Sequence, residues 1–455
     1  MSVAATALLL ALAGYGYLAL VGTATMLVIL PRQYLPYRVL LAPLFGWATL
    51  VALGYPLSAV LPFRVVAPTI ALASCSVIAV AALRSLPMVT HLVAGRRAWH
   101  EAAWPFALAS LTYVAAVRLH ARQNTLTALV VDSDAEHFAD VIASLLHFPT
   151  GWSVEAYRGL EITPIGFGYH AIHAMLSAVT GIDVFTTALP SHFLLLGLAV
   201  PAVYFFARRS LALSCWAAAI AVALYCLGPI PLIVASFGWG QQTAALAAVP
   251  FGVACLLDGL DSHDRRMVFA AGLAVGLATG SLYLATTPLL VGTAAFATLL
   301  ISLRASKERR HGGGNGLGGR ISWCPRSGFF GAILAPWRRL MLIGAVALAA
   351  GSFSHLGAAS YLLERIGTGL VTDEEMQHRS VHVPQFAPPL AAIGVAPLDL
   401  FGTIVAADRQ TALEWQDTPI THLSTAGGAA LFLIGTLRVA RIRSFGLSLL
   451  AAALA

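Results

Sequence analysis

The fifteen residues IGFGYHAIHAMLSAV, from Ile165 to Val179, decide how the chain is threaded through its surroundings. They are apolar enough to pass for a transmembrane helix. Reading them as one would move Arg208 and Arg209 across the membrane and invert every later loop. They are also shorter than the ~20 residues a helix needs to cross a hydrocarbon core of ~30 Å. The stretch therefore reads as a helix lying in the membrane interface, and the topology is built outward from it.

Composition sets the frame. Of 455 residues, 58% are hydrophobic and 10% charged, where a soluble domain carries roughly 25% charged residues. The apolar residues come in blocks long enough to span as helices. The short alternating segments of a membrane β-barrel are absent. The first block, Val3 to Leu30, has no basic residue before it and exceeds a signal peptide's apolar region, so it reads as a retained span. Further spans fall near 39–61, 65–83, 103–119, 185–206, 211–228, 241–258, 267–283, 286–303, 339–356 and 421–437, with a last block from about 445. The expected fold is an all-α, polytopic membrane protein of about 11–12 spans. Its parts are a four-span unit (1–119), an outer loop (120–184), a five-span core (185–303), a cytoplasmic loop (304–338) and C-terminal spans (339–455) holding a second outer loop at 357–420.

With the N-terminus outside, 20 of the 27 Lys and Arg residues fall in inner loops and 7 in outer ones. That bias fixes the orientation, because basic residues are retained on the cytoplasmic side. Most acidic residues lie in the two long outer loops, and loops of that length are usually functional or disordered. The net charge of +7 does not indicate nucleic acid, since the basic residues sit between spans and form no stripe with aromatics. No outer loop holds a cysteine and no CxxC occurs, which argues against a disulfide framework or a thiolate zinc site. The Gly-rich run from Lys307 to Arg320 lacks the Gly-Lys-Ser/Thr of a P-loop and reads as a cytoplasmic linker.

The first outer loop carries the chemistry-bearing residues. Ser133 and Glu136 form a capping box, placing a helix start at Asp134. Phe138, Val141, Ile142, Leu145 and Leu146 then fall on one face, with His137, Asp140, Ser144 and His147 opposite. Such a helix is expected to lie on the membrane, apolar side down. A second helix should start at Thr163-Pro164 and end at Gly181, carrying His170, His173 and Ser177 on one side. Histidines with solvated tips are the plain reading of His170 and His173. His192 and His355, near predicted span ends, read as satisfied structural residues.

These residues also carry a family resemblance. Asp134-x-x-His137, the apolar helix, Tyr157 and Thr163-Pro164-x-Gly166-Phe167-x-Tyr169-His170 resemble the integral-membrane glycosyltransferases of the GT-C superfamily. So does the Gly181-Ile182-Asp183 turn before a span ending in basic residues, and Phe237-Gly-Trp-Gly-Gln-Gln242 is similar to a Trp-Gly loop of some bacterial members. The resemblance covers about 130–260. It implies transfer of a sugar from a polyprenyl-phosphate donor to a hydroxyl of a glycan, lipid or protein acceptor, on the outer face of the plasma membrane; the excess of Arg over Lys and the abundant Ala suggest a GC-rich bacterial genome.

Such a reaction needs a carboxylate to take the acceptor's proton and positive charge to offset the leaving phosphate. Asp134 is the expected base, with Asp132 orienting it; alternatively the two hold a divalent cation such as Mg²⁺ or Mn²⁺. A helix N-terminus lowers a carboxylate's pKa, which favours the metal role and weakens the base, so both roles stay open. Capping of a surface helix is the plain alternative. Tyr169, His137, His170 and His173 are expected substrate contacts, and the histidines could instead join a metal site. Arg158 suits a donor phosphate or the headgroup level. Arg365 and Arg379 are candidate phosphate contacts by analogy with the superfamily's closing loop, and Gln241 can hydrogen-bond sugar or meet headgroups. A lipid-linked glycan transporter and a non-catalytic scaffold of the same fold are the rival functions.

Overall fold

The computed structural model describes residues 3–29, 31–84, 96–121, 133–149, 167–226, 240–281, 287, 290–302 and 334–351. Among them the secondary structure is helical, with no strand. In chain order the helices are α1 (Val3–Ile29), α2 (Arg38–Ser58), α3 (Phe63–Arg84), α4 (Arg96–Ala121), α5 (Ser133–His147), α6 (Phe167–Thr180), α7 (Val184–Arg209), α8 (Cys215–Cys226), α9 (Gly240–Asp261) and α10 (Arg265–Ser281). The described helices α11 (Leu290–Ser302) and α12 (Leu334–Gly351) follow. A 3-10 segment, Arg32–Tyr37, joins α1 to α2 behind Pro31, whose ring cannot continue a helix.

Six described helices are long and apolar enough to cross a membrane: α1, α2, α3, α7, α9 and α12. A polytopic helical membrane protein is therefore what this chain is. Of the spans expected at 211–228 and 286–303, the described helical parts are α8 and α11; residues 227–228, 286, 288–289 and 303 lie outside the described residues. The spans expected at 421–437 and from 445, the second outer loop and most of the glycine-rich loop lie outside the described residues.

Lipid tails are as apolar as leucine, so close packing and polar bonds, not water exclusion, hold such helices together. The α1–α2 crossing shows the packing. A Cβ at Gly22 would overlap the Ala42 carbonyl oxygen, and one at Gly46 would come within 2.7 Å of the Leu18 carbonyl carbon and 2.9 Å of the Gly22 nitrogen. Backbone thus meets backbone, and the hydroxyls of Thr25 and Thr49 bond across the same pair at 2.7 Å. At the centre stands α7, buried along most of its length and packed against α1, α2, α4, α6, α8 and α9.

One end of the bundle is closed by charge. Arg208 at the end of α7 pairs with Glu101 of α4 at 3.0 Å, and Arg209 pairs with Asp258 of α9 at 3.0 Å. Tyr204 donates to Glu101 (2.9 Å) and Tyr34 donates to Asp258 (3.0 Å). Arg339 of α12 donates to the Ser262 carbonyl at 2.7 Å. Every one of these residues comes from a stretch that the basic-residue count puts on a common side. The alternation of the chain is therefore met in the packing of its helix ends.

Candidate functional site

The acidic helix forms nearly where the capping box puts it, starting at Ser133 rather than Asp134, within the one or two residues by which helix ends are defined. Val141, Ile142, Leu145 and Leu146 are buried, while Ser144 is half-buried and His147 exposed. The apolar face does not lie on the bilayer as expected. It packs on α6, with α3 and α7 alongside. Periodicity tells that one face is covered and is silent on whether lipid or protein covers it. Asp134 and His137 belong to the first turns of this helix, but their side chains lie outside the described residues. So do Asp132, Arg158, Arg365 and Arg379 altogether.

A further correction concerns the histidines of α6: Phe167 through Ser177 are all buried within the protein, His170 and His173 among them. The solvated histidine tips do not exist. Helices α1, α2, α3, α5, α7, α9 and α10 all touch α6. The indole of Trp47, midway along α2, donates to the Gly168 carbonyl at 3.0 Å. The reason is visible in the sequence of α6 itself: Gly168, Ala171 and Ala174 leave room for neighbours on faces that larger residues would block. Its expected end is met at Gly181, which adopts φ +70° and donates to the Ser177 carbonyl at 2.9 Å. The expected start at Thr163-Pro164 lies outside the described residues.

Residues one turn apart on α6 face α7. The Tyr169 hydroxyl lies 3.2 Å from His173 Nδ1 and 3.2 Å from His192 Nε2. His173 Nε2 lies 2.8 Å from the Val184 carbonyl oxygen, and Ser177 bonds Thr187. His192 Nδ1 in turn sits 3.4 Å from the Thr243 hydroxyl of α9. Burial pushes the His173 pKa down to about 4, a shift that its bond to the Val184 carbonyl opposes only in part. The imidazole is therefore neutral at physiological pH. A Cβ at Gly240 would fall on the Tyr169 ring, so the first residue of α9 has to be glycine for this approach. Next to it Gln241 is half-buried and Gln242 exposed. Asp183 caps α7, accepting from the Thr186 hydroxyl (2.6 Å) and amide (2.9 Å), and these bonds hold its pKa below the usual carboxylate value.

Of the expected site residues, the fold brings Tyr169 and His173 together, with His170 beside them, and seats Gln241 next to the glycine that touches Tyr169. It adds His192 and Thr243, which the sequence reading did not place in the site. His192 is indeed satisfied, as expected of a structural histidine, but its partners are the candidate site residues themselves. The available signal was its position, eight residues into an apolar span, where an ionisable side chain is costly unless it faces the bundle. Among the described residues no three His, Cys, Asp or Glu side chains gather as a metal site requires. What the cluster supplies is a buried, hydrogen-bonded polar link between α6, α7 and α9. The chain matches no family model, no curated protein and no solved structure.

Proposed function

We propose that this protein is an integral-membrane glycosyltransferase of GT-C type, moving a sugar from a polyprenyl-phosphate donor to an acceptor hydroxyl. The observation that carries this reading is the docking of α5 on α6. The acidic helix, with Ile142 and Leu145 buried, packs on a buried helix whose Tyr169 and His173 are bonded to α7. A catalytic carboxylate needs a rigid support of this kind, and a helix floating on lipid would not provide it. The site then lies at the end of the bundle away from the Arg208 and Arg209 ion pairs, outside the plasma membrane, with the arginine-rich end in the cytoplasm.

In this reading Asp134 accepts the proton of the acceptor hydroxyl. The hydroxyl oxygen bonds to the anomeric carbon, and the bond from that carbon to the phosphate oxygen breaks with its electron pair going to phosphate. Configuration inverts. Arg158, Arg365 and Arg379 meet the phosphate, Asp132 orients Asp134 or joins it on a divalent cation, and Gln241 meets the sugar. Purified protein in lipid nanodiscs, given radiolabelled polyprenyl-phosphate sugars and an envelope lipid extract as acceptor, should release free polyprenyl phosphate. Asp134→Asn should lower that release by about 10²-fold or more with the fold intact, the scale of a lost general base. Unchanged release, or donor crossing the bilayer without breakdown, would overturn the assignment.

A further inference from the structure

The hydrogen bonds that join His173, Tyr169, His192 and Thr243 have a consistent direction, and it assigns the protons. A carbonyl oxygen can only accept, so His173 Nε2, 2.8 Å from the Val184 oxygen, carries hydrogen. In the neutral ring Nδ1 is then an acceptor, and the Tyr169 hydroxyl at 3.2 Å donates to it. That uses the phenol's one proton. His192 Nε2, 3.2 Å from the same oxygen, must therefore be the donor to Tyr169. With Nε2 protonated, His192 Nδ1 accepts from the Thr243 hydroxyl. The result is a one-way chain from α9 through α7 to α6 and back to the first turn of α7. Every link is buried. Such chains reinforce one another and are costly to break, because each lost partner leaves a polar group stranded.

We infer that His192 is a positioning residue of the transfer site, fixing the first turn of α9, with Gly240 and Gln241, against Tyr169 of α6. The inference rests on the proposed transferase reading for what the site does, but not for the chain of bonds itself. Three features support it. His192 links both helices: it donates to α6 and accepts from α9. Gly240 admits the Tyr169 ring so closely that the two elements share one surface. Gln241, the expected sugar contact, lies between Gly240 and the residue before Thr243, so its placement follows that of the chain's first member. His192 touches neither donor nor acceptor in this scheme; it acts through Tyr169 and Thr243.

The test uses full-length protein in nanodiscs with His192→Gln, His192→Phe and Thr243→Val. The glutamine amide can replace the Nε2 donor to Tyr169, and phenylalanine cannot. In ¹⁵N-histidine spectra the unsubstituted protein should show His173 and His192 as neutral Nε2–H tautomers with hydrogen-bonded Nδ1. H192F should move the His173 Nδ1 resonance, because Tyr169 loses the imidazole N–H of His192, while H192Q should restore it. Amide exchange should rise about tenfold or more in the first turns of α9 and α6 in H192F, and remain as it was beside the Glu101–Arg208 pair. Transfer should fall about tenfold in H192F and recover in H192Q. T243V, which keeps every ring in place, should raise exchange in α9 only. Unchanged exchange at α9, or an unmoved His173 signal in H192F, overturns the inference. Both changes present in a protein that transfers no sugar would instead overturn the transferase reading and leave the positioning of α9 standing.

Discussion

Replacing Gly46 by alanine puts a methyl group where α1 and α2 have no space for one. The new carbon would overlap the Leu18 carbonyl oxygen and sit 2.7 Å from the Leu18 carbonyl carbon and 2.9 Å from the Gly22 nitrogen, against about 3.5–4.0 Å for a comfortable contact. Both neighbours are backbone, so no side chain can rotate away. The helix axes must part by roughly 1 Å, and a gap of that size forfeits about a quarter to a half of the dispersion energy at each separated contact. Overpacking in a tight interface costs about 1–3 kcal/mol, while alanine returns up to about 1 kcal/mol of helix propensity. A net loss of up to about 3 kcal/mol follows from these two terms, and the backbone overlap places it in the upper part of that range. It should appear as a lower midpoint in reversible unfolding by SDS in mixed micelles. Gly16→Ala is the matched control, because its Cβ would meet nothing within 4 Å on the same helix α1. If G46A and G16A unfold together, the backbone contact is not what joins these helices.

Three further outcomes can be measured in the same way. Asp183→Ala removes the cap of α7 and should cost about 1 kcal/mol, with Asp183→Asn recovering most of it. His173 should give the protein an acid limb. Its folded pKa is about 4 against an unfolded 6.5, so the unfolded chain binds the extra proton first. Stability is full above pH 6.5 and declines as pH falls toward 4, by up to about 3 kcal/mol. His173→Asn should flatten that limb; a limb that persists in H173N would assign it to other groups. Arg209→Ala strands Asp258 beside Tyr34, and the part-exposed pair should cost about 1–3 kcal/mol, between the surface and buried limits. Asp258→Asn in the same chain should recover part of that loss.

Some of this fold could be read directly from particular residues. The unbroken apolar run of α1, the arginines ending α7 and the αL glycine at 181 each have one physical meaning, and each is found as read. The alternation of loops follows from them, and the ion pairs at Glu101 and Asp258 gather the ends that alternation assigns to one side. The setting of α5 and α6 was not legible in the same way. An amphipathic pattern such as Val141, Ile142, Leu145 and Leu146 reports burial without naming the burying phase, since lipid and protein are equally apolar. In α6 the alanines and Gly168 hold the missing information, but small residues announce close neighbours only once those neighbours are known. His192 escaped for a related reason: a lone histidine carries no period, and its partners Tyr169 and Thr243 lie 23 and 51 residues away.

The burial of α6 also constrains how the protein is made. The translocon sorts segments one at a time by hydrophobicity and length, and α6 offers 14 residues with two histidines among them. Lipid alone gives such a segment no stable place as a span. Its burial has to wait until α7 and α9 stand in the bilayer and present Val184, His192 and Thr243 as partners. Synthesis reaches α9 some sixty residues after α6, so the helix spends that interval without its final neighbours. Assembly of this bundle is therefore post-insertional at its centre: the element that seats the acidic helix is among the last to be enclosed.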